Sequence, residues 1–272
     1  MHGKSHLSSM KYLTFLLVAL IWGTTWTAIK LSLEGYPPFV GATLRFAIAI
    51  VMLTVYARVT RAPLALPRGT MRWVIVTSML LYVIDYGLIY WSGQYLNAGI
   101  SAILFAALPL ATASASTFAF ASESMGSRSL VGILFGLGGV IVVFFDQVAV
   151  THFGVHVATA SIAVVVAAMA AALNVVIAKR HLMTVAPVPL AMHQMLWGSL
   201  GLGIVAAVRG EWHEIHYSLG PTLALLYLAN RRFGRGVRDV LQATANNGRK
   251  RASHDQLHHA VGCGVQQLAA TE

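Results

Sequence analysis

Residues 155–178 read VHVATASIAVVVAAMAAALNVVIA, a stretch without one Asp, Glu, Lys or Arg, closed by Lys179 and Arg180. An α-helix rises about 1.5 Å per residue, so this run can cross the roughly 30 Å of a bilayer's hydrocarbon core. It has no polar face for water to solvate, which a surface helix of a soluble domain requires. The stretch predicts a transmembrane helix.

Working outward, similar runs cover about 12–31, 39–56, 73–91, 98–121, 130–145 and 190–208. That makes seven candidate spans. An eighth run, 219–229, falls well short of the roughly 20 residues a crossing needs. The first run follows Lys4 and Lys11 as a signal peptide would, but bulky Trp22 and Trp26 stand where small residues precede cleavage. It is read as a retained span. Composition agrees: 57% of residues are hydrophobic and 10% charged, against about 25% charged in an ordinary soluble domain. The expected fold class is an all-α integral membrane protein, a multi-pass helical bundle.

The net charge of +10 would suggest nucleic acid if the chain were soluble. Its distribution points elsewhere. The short loops on one side would carry Lys4, Lys11, Arg58, Arg61, Arg68, Arg72, Arg128, Lys179 and Arg180, and those on the other only Arg209. By the positive-inside rule this places the N-terminus in the cytoplasm; the expected location is the cytoplasmic (inner) membrane. Cys263 is the single cysteine, so one chain can hold neither a disulfide nor a cysteine zinc cluster.

An offset of 149 residues places Lys30 on Lys179, Pro38 on Pro187 and Arg45 on Gln194. Five spans fit in that interval, an odd number, so the second copy would run inverted relative to the first. Inverted repeats mark many secondary transporters, whose solute site lies near the midplane between the halves. The expected organisation is a complete five-helix repeat at 12–146, an incomplete inverted repeat at 155–229, and a basic tail at 230–272. The tail begins abruptly at Asn230-Arg231-Arg232, directly after an apolar run. It reads either as disordered or as the product of a one-nucleotide slip of frame, since shifted codons can be chosen that continue the apolar text. Under the second reading, the histidines at 254, 258 and 259 and the basic triplet 249–251 carry no selected chemistry.

The stretch Ile21-Trp22-Gly23-Thr24-Thr25, with Lys30, Pro38 and Leu44-Arg45-Phe46, resembles the opening of the EamA-type family of drug/metabolite transporters. So do Ala106-Ala107-Leu108-Pro109, Glu123, and the glycines at 132, 136, 138 and 139. The resemblance implies a carrier of two inverted five-helix repeats that moves small organic solutes by alternating access. This chain departs from that pattern after residue 229, where the second repeat stops inside its third helix. The alternative reading is a non-transporting remnant of such a carrier.

Ionisable groups inside a bilayer are costly and mark function or specific pairing. Asp85 is the leading candidate, with Tyr82 three residues before it on the same face. It can couple protons or bind an amine in the solute path. It can equally pair structurally with Arg45, which lies at similar depth. Trp22 and Thr25 are further candidates for the path, as are Asn174 and Gln194, the offset counterparts of Thr25 and Arg45. Interhelical hydrogen bonding is the plainer use of a lone membrane Asn or Gln. Lys30, at a helix end, can snorkel to the headgroups. Gly132 and Gly136, spaced G-x-x-x-G, suit helix packing, and Pro109 can free a carbonyl in the fourth span. His213, Glu214 and His216 lack the spacing of a zinc protease. No phosphate-cradling loop or nucleophile constellation is visible. The expectation is therefore no enzyme, no cofactor and no metal. A small-molecule solute and the lipid bilayer are the expected partners, with a homodimer as a candidate assembly and no nucleic acid.

Overall fold

The computed structural model describes residues 22–119 and 155–230, with Leu20 and seven residues of the stretch 131–142. Most of the fifth run, the start of the first and the whole tail from residue 231 lie outside the described residues. Every described residue belongs to one compact unit, within Met1–Arg232.

Every regular element among the described residues is a helix. The first helix covers 22–32 and the second Pro38–Thr60. The third runs Met71–Ser92 and the fourth Ala98–Thr117. The sixth is Val155–His181, the seventh Pro187–Val208, and a short eighth is Leu219–Asn230. Five of these, the second, third, fourth, sixth and seventh, are long and apolar enough to cross a membrane. The protein is a multi-pass helical membrane protein. The eighth helix is short, as its eleven-residue apolar run predicts.

Two spans depart from regular α-geometry. The third is α-helical over Met71–Ser78, π-helical over Met79–Tyr86 and α-helical again over Gly87–Ser92. The fourth is interrupted between Phe105 and Leu108. Pro109 accounts for that break, because it has no N–H to offer the Phe105 carbonyl four residues back and its ring crowds that carbonyl.

The second and seventh helices, aligned by the 149-residue offset, pack along much of their length. They run antiparallel. Thr43 meets Ser199, whose Oγ donates to the Thr43 carbonyl at 3.2 Å, while Thr54 further along meets Met192. The third helix lies parallel to the seventh and touches it closely. A Cβ at Gly198 would overlap the Cβ of Tyr82, and one at Gly201 would come within 2.6 Å of Val83 Cγ2. Glycine at these positions lets the backbones approach. The buried core draws on both halves of the chain: Phe46 and Ala49 from the second helix, Tyr82 and Tyr90 from the third, Ala167 from the sixth, Leu202 from the seventh and Leu228 from the eighth.

Of the expected packing glycines, a Cβ at Gly136 would lie 3.5 Å from Leu110 of the fourth helix, and one at Gly132 would meet nothing within 4 Å among the described residues. Lys30 has a partner within the protein. Its Nζ donates to the Gly93 carbonyl at 2.7 Å and lies 3.4 Å from the Gln94 carbonyl, so it caps the C-terminal end of the third helix. A cation there satisfies orphan carbonyls and complements the helix dipole.

Candidate functional site

The π-helical segment carries both leading candidates. Asp85 is 2% exposed and Tyr82 is 1% exposed. Asp85 stands seven residues from the Ser92 end of its helix, about 10 Å into the span at α-helical rise. A π segment widens the turn and re-aims side chains, and such segments recur at functional sites. Here it carries a buried carboxylate and turns two aromatic rings toward the second helix. Phe46 of that helix meets Tyr82 edge-on at 4.7 Å between centroids and Tyr86 at 5.0 Å.

Arg45 stands on the same buried wall, 1% exposed. Its guanidinium carbon lies 5.2 Å from the Phe46 ring centroid and 5.0 Å from that of Tyr86. The Tyr90 hydroxyl, fully buried, lies beside the guanidinium and the Ser32 hydroxyl. The negative faces of the rings offset part of the charge. Tyr86 and Tyr90 were not singled out from the sequence, yet Tyr82, Tyr86 and Tyr90 recur every four residues, a spacing that puts them on one helical stripe.

A second polar cluster joins the third and seventh helices nearer the other end of the span. Gln194 Nε2 donates to Thr77 Oγ1 at 2.8 Å, and the Ser78 hydroxyl donates to the Gln194 carbonyl. Gln194 is thus an interhelical tie. Asn174 is buried on the sixth helix, and its Oδ1 has no hydrogen-bond partner. Of the first-helix candidates, Trp22 is 45% exposed and Thr25 half-buried. The first-helix aromatic that turns inward is Trp26, edge-on to Phe105 of the fourth helix at 5.4 Å.

A cavity of about 790 Å³ opens between the fourth and sixth helices, lined by Ala107, Leu110, Ser114 and Met169, with Trp73 and His181 at one end. His181 stacks on Trp73 at 3.7 Å. The volume suits a small organic molecule. The cavity begins at the break in the fourth helix, but Asp85, Tyr82, Asn174 and Gln194 are not in its wall.

At the opposite end of the bundle, the segment after the seventh helix closes over the start of the second. Glu211, buried, accepts from the Phe39 backbone N–H at 2.9 Å and from Arg209 Nε at 3.0 Å. The Arg209 guanidinium sits over the Phe39 ring at 5.4 Å. The His216 N–H donates to the Gly35 carbonyl at 2.9 Å, and the hydroxyls of Tyr36 and Thr222 are 2.8 Å apart. Any Cβ at Gly35 would run into His216 and Pro221, so this closure needs glycine. Among the described residues no group of three or more His, Cys, Asp and Glu side chains converges as metal ligands would.

Comparison with known proteins bears on what such a bundle does. The profile of the EamA-like transporter family matches residues 9–145. An uncharacterized transporter of Buchnera aphidicola is 38% identical over 96 residues, 35% of this chain and 32% of that protein. Protein PagO of Salmonella typhimurium is 29% identical over 133 residues, 49% of this chain and 43% of that protein. The uncharacterized inner membrane transporter YedA of Escherichia coli is 29% identical over 124 residues, 45% of this chain and 39% of that protein. In each case the match spans less than half of the relative's length.

Proposed function

This chain belongs to the EamA-like transporter family, and from that premise we propose that it moves a small organic solute across the inner membrane by alternating access, with its N-terminus in the cytoplasm. The observation that carries the reading is the π-helical segment Met79–Tyr86, which holds a buried carboxylate inside a membrane span. A carboxylate in hydrocarbon is retained where it pairs with a buried cation, binds a cationic ligand or exchanges a proton. Asp85 takes that role, with Tyr82 beside it in the solute path. Trp22, Thr25 and Asn174 are further path-lining residues. Gln194 holds the third helix on the seventh.

The two irregular spans supply the mobility that alternating access needs. Backbone groups freed by a π segment or a proline break can exchange partners when neighbouring helices shift. The Glu211–Phe39 closure is the contact that opens when the path faces that side.

The reading is tested by reconstituting the full chain in liposomes loaded with a mixture of amino acids, nucleosides and monocarboxylates, and following each solute's release. Release of one solute faster than from protein-free liposomes, slowed at least tenfold by Asp85→Asn, supports it. Release at the protein-free rate for every solute favours the non-transporting reading.

A further inference from the structure

We infer that Arg45 is the recognition group for a small organic monocarboxylate, in the solute path proposed above, on which reading the inference rests. The Arg45 guanidinium is shut off from solvent, yet its Nε and Nη1 have no hydrogen-bond acceptor. The Tyr90 hydroxyl lies beside it, near enough to interact with the guanidinium and the Ser32 hydroxyl but in no hydrogen bond of good geometry. A guanidinium carries five N–H donors and keeps its charge at every accessible pH. The faces of Phe46 and Tyr86 soften that charge but accept none of those N–H groups in the strong in-plane geometry. The wall is therefore built for a group that is not part of it. That group must be anionic and bring acceptor oxygens in the plane of the guanidinium.

A carboxylate matches the guanidinium fork, and the Tyr90 O–H can donate to one of its oxygens. A monoanion offsets the charge of one guanidinium, as low-dielectric surroundings favour, and a phosphate dianion would exceed it. Access is controlled by the layer between Arg45 and the nearer end of the bundle. Phe39 stands six residues before Arg45, its ring against Gly87 and beneath Arg209. When that layer lifts, Arg209 offers the entering anion its first cation.

The test uses the full-length chain in detergent and three acids paired with their isosteric amides: benzoate with benzamide, phenylacetate with phenylacetamide, hexanoate with hexanamide. At least one acid is expected to raise the melting temperature with an affinity tenfold or more above its amide. Arg45→Lys is expected to keep part of that preference and Arg45→Gln to lose it. The wild-type comparison stands even where Arg45→Gln does not fold. Acids no better than their amides in all three pairs would overturn the assignment. Flux of only neutral or cationic solutes in the reconstituted system would sink it while leaving transport intact. Acid binding without flux of any solute would support it and sink transport instead.

Discussion

The backbone N–H of Phe39 donates to the Glu211 carboxylate at 2.9 Å, so a side chain 172 residues away in sequence caps the second helix. That helix starts with Pro38, which has no N–H to satisfy, and the Gly41 N–H returns to the Pro37 carbonyl at 2.8 Å. Glu211 thus supplies the acceptor that the sequence around Pro38 lacks. It also places negative charge at the positive end of the helix dipole. Removing the cap by Glu211→Ala is expected to cost about 1 kcal/mol, within the range of lost helix caps. Thermal melting in detergent should show a fall of several degrees, smaller for Glu211→Gln, which keeps an acceptor. Unchanged melting would show that the closure contributes nothing to stability.

Gly210, with φ of +73°, turns the chain so that Glu211 reaches the second helix. Gly210→Ala forces a Cβ into the left-handed region and is expected to destabilise by about 1 kcal/mol. The double variant with Glu211→Ala should melt close to the single Glu211→Ala variant, because both act on one contact. Full additivity would separate the turn from the cap.

Gly198 lies directly against Tyr82. Gly198→Ala should push the seventh helix off the third at a cost of about 1–3 kcal/mol, as overpacking does. Shortening the neighbour by Tyr82→Ala should recover part of the loss. A double variant as unstable as the sum of the singles would contradict the contact.

Lys30 donates to the Gly93 carbonyl. Lys30→Met should loosen the turn after the third helix, seen as faster amide exchange over 93–97. The loss should be modest, about 0.3–1 kcal/mol for a cation at a helix end. Lys30→Arg should retain most of the protection. A lysine that merely reached the headgroups would leave exchange in that turn unaltered.

How much of this was legible in the sequence follows from what each signal measures. Absence of charge is read one residue at a time, so the second, third, fourth, sixth and seventh spans and the short eighth helix fell where the apolar runs put them. The interruption of the fourth helix was legible because Pro109 acts on its own chain. The π segment was not: residues 79–84 are almost wholly apolar, so no polar residue marks which way the turn faces. The carbonyl partner of Lys30 was hidden because sequence places a lysine at a helix end without showing which carbonyls lie within its reach. The close approach at Gly198 and Gly201 was equally hidden, since a glycine's use depends on its neighbour across the interface. For Arg45, sequence gave depth within the span, while its aromatic surroundings required the second and third helices to be seen together. Trp22 and Trp26 lie four residues apart on one stripe of the first helix, and which of them meets a neighbour, Trp26 on Phe105, is not set by their spacing.

Cysteine accessibility along the third helix tests the central claim, that a solute path runs past the π segment. With Cys263 replaced by serine, single cysteines are placed at Tyr82, Ile84 and Asp85 in the full chain, reconstituted in liposomes and treated with a membrane-impermeant thiol reagent. The account predicts labelling at 82 and 85 that a bound solute slows. It predicts no labelling at Ile84, which is exposed on the outside of the bundle where lipid would lie. Labelling at Ile84 with positions 82 and 85 silent would place water on the wrong face of the helix and contradict the account.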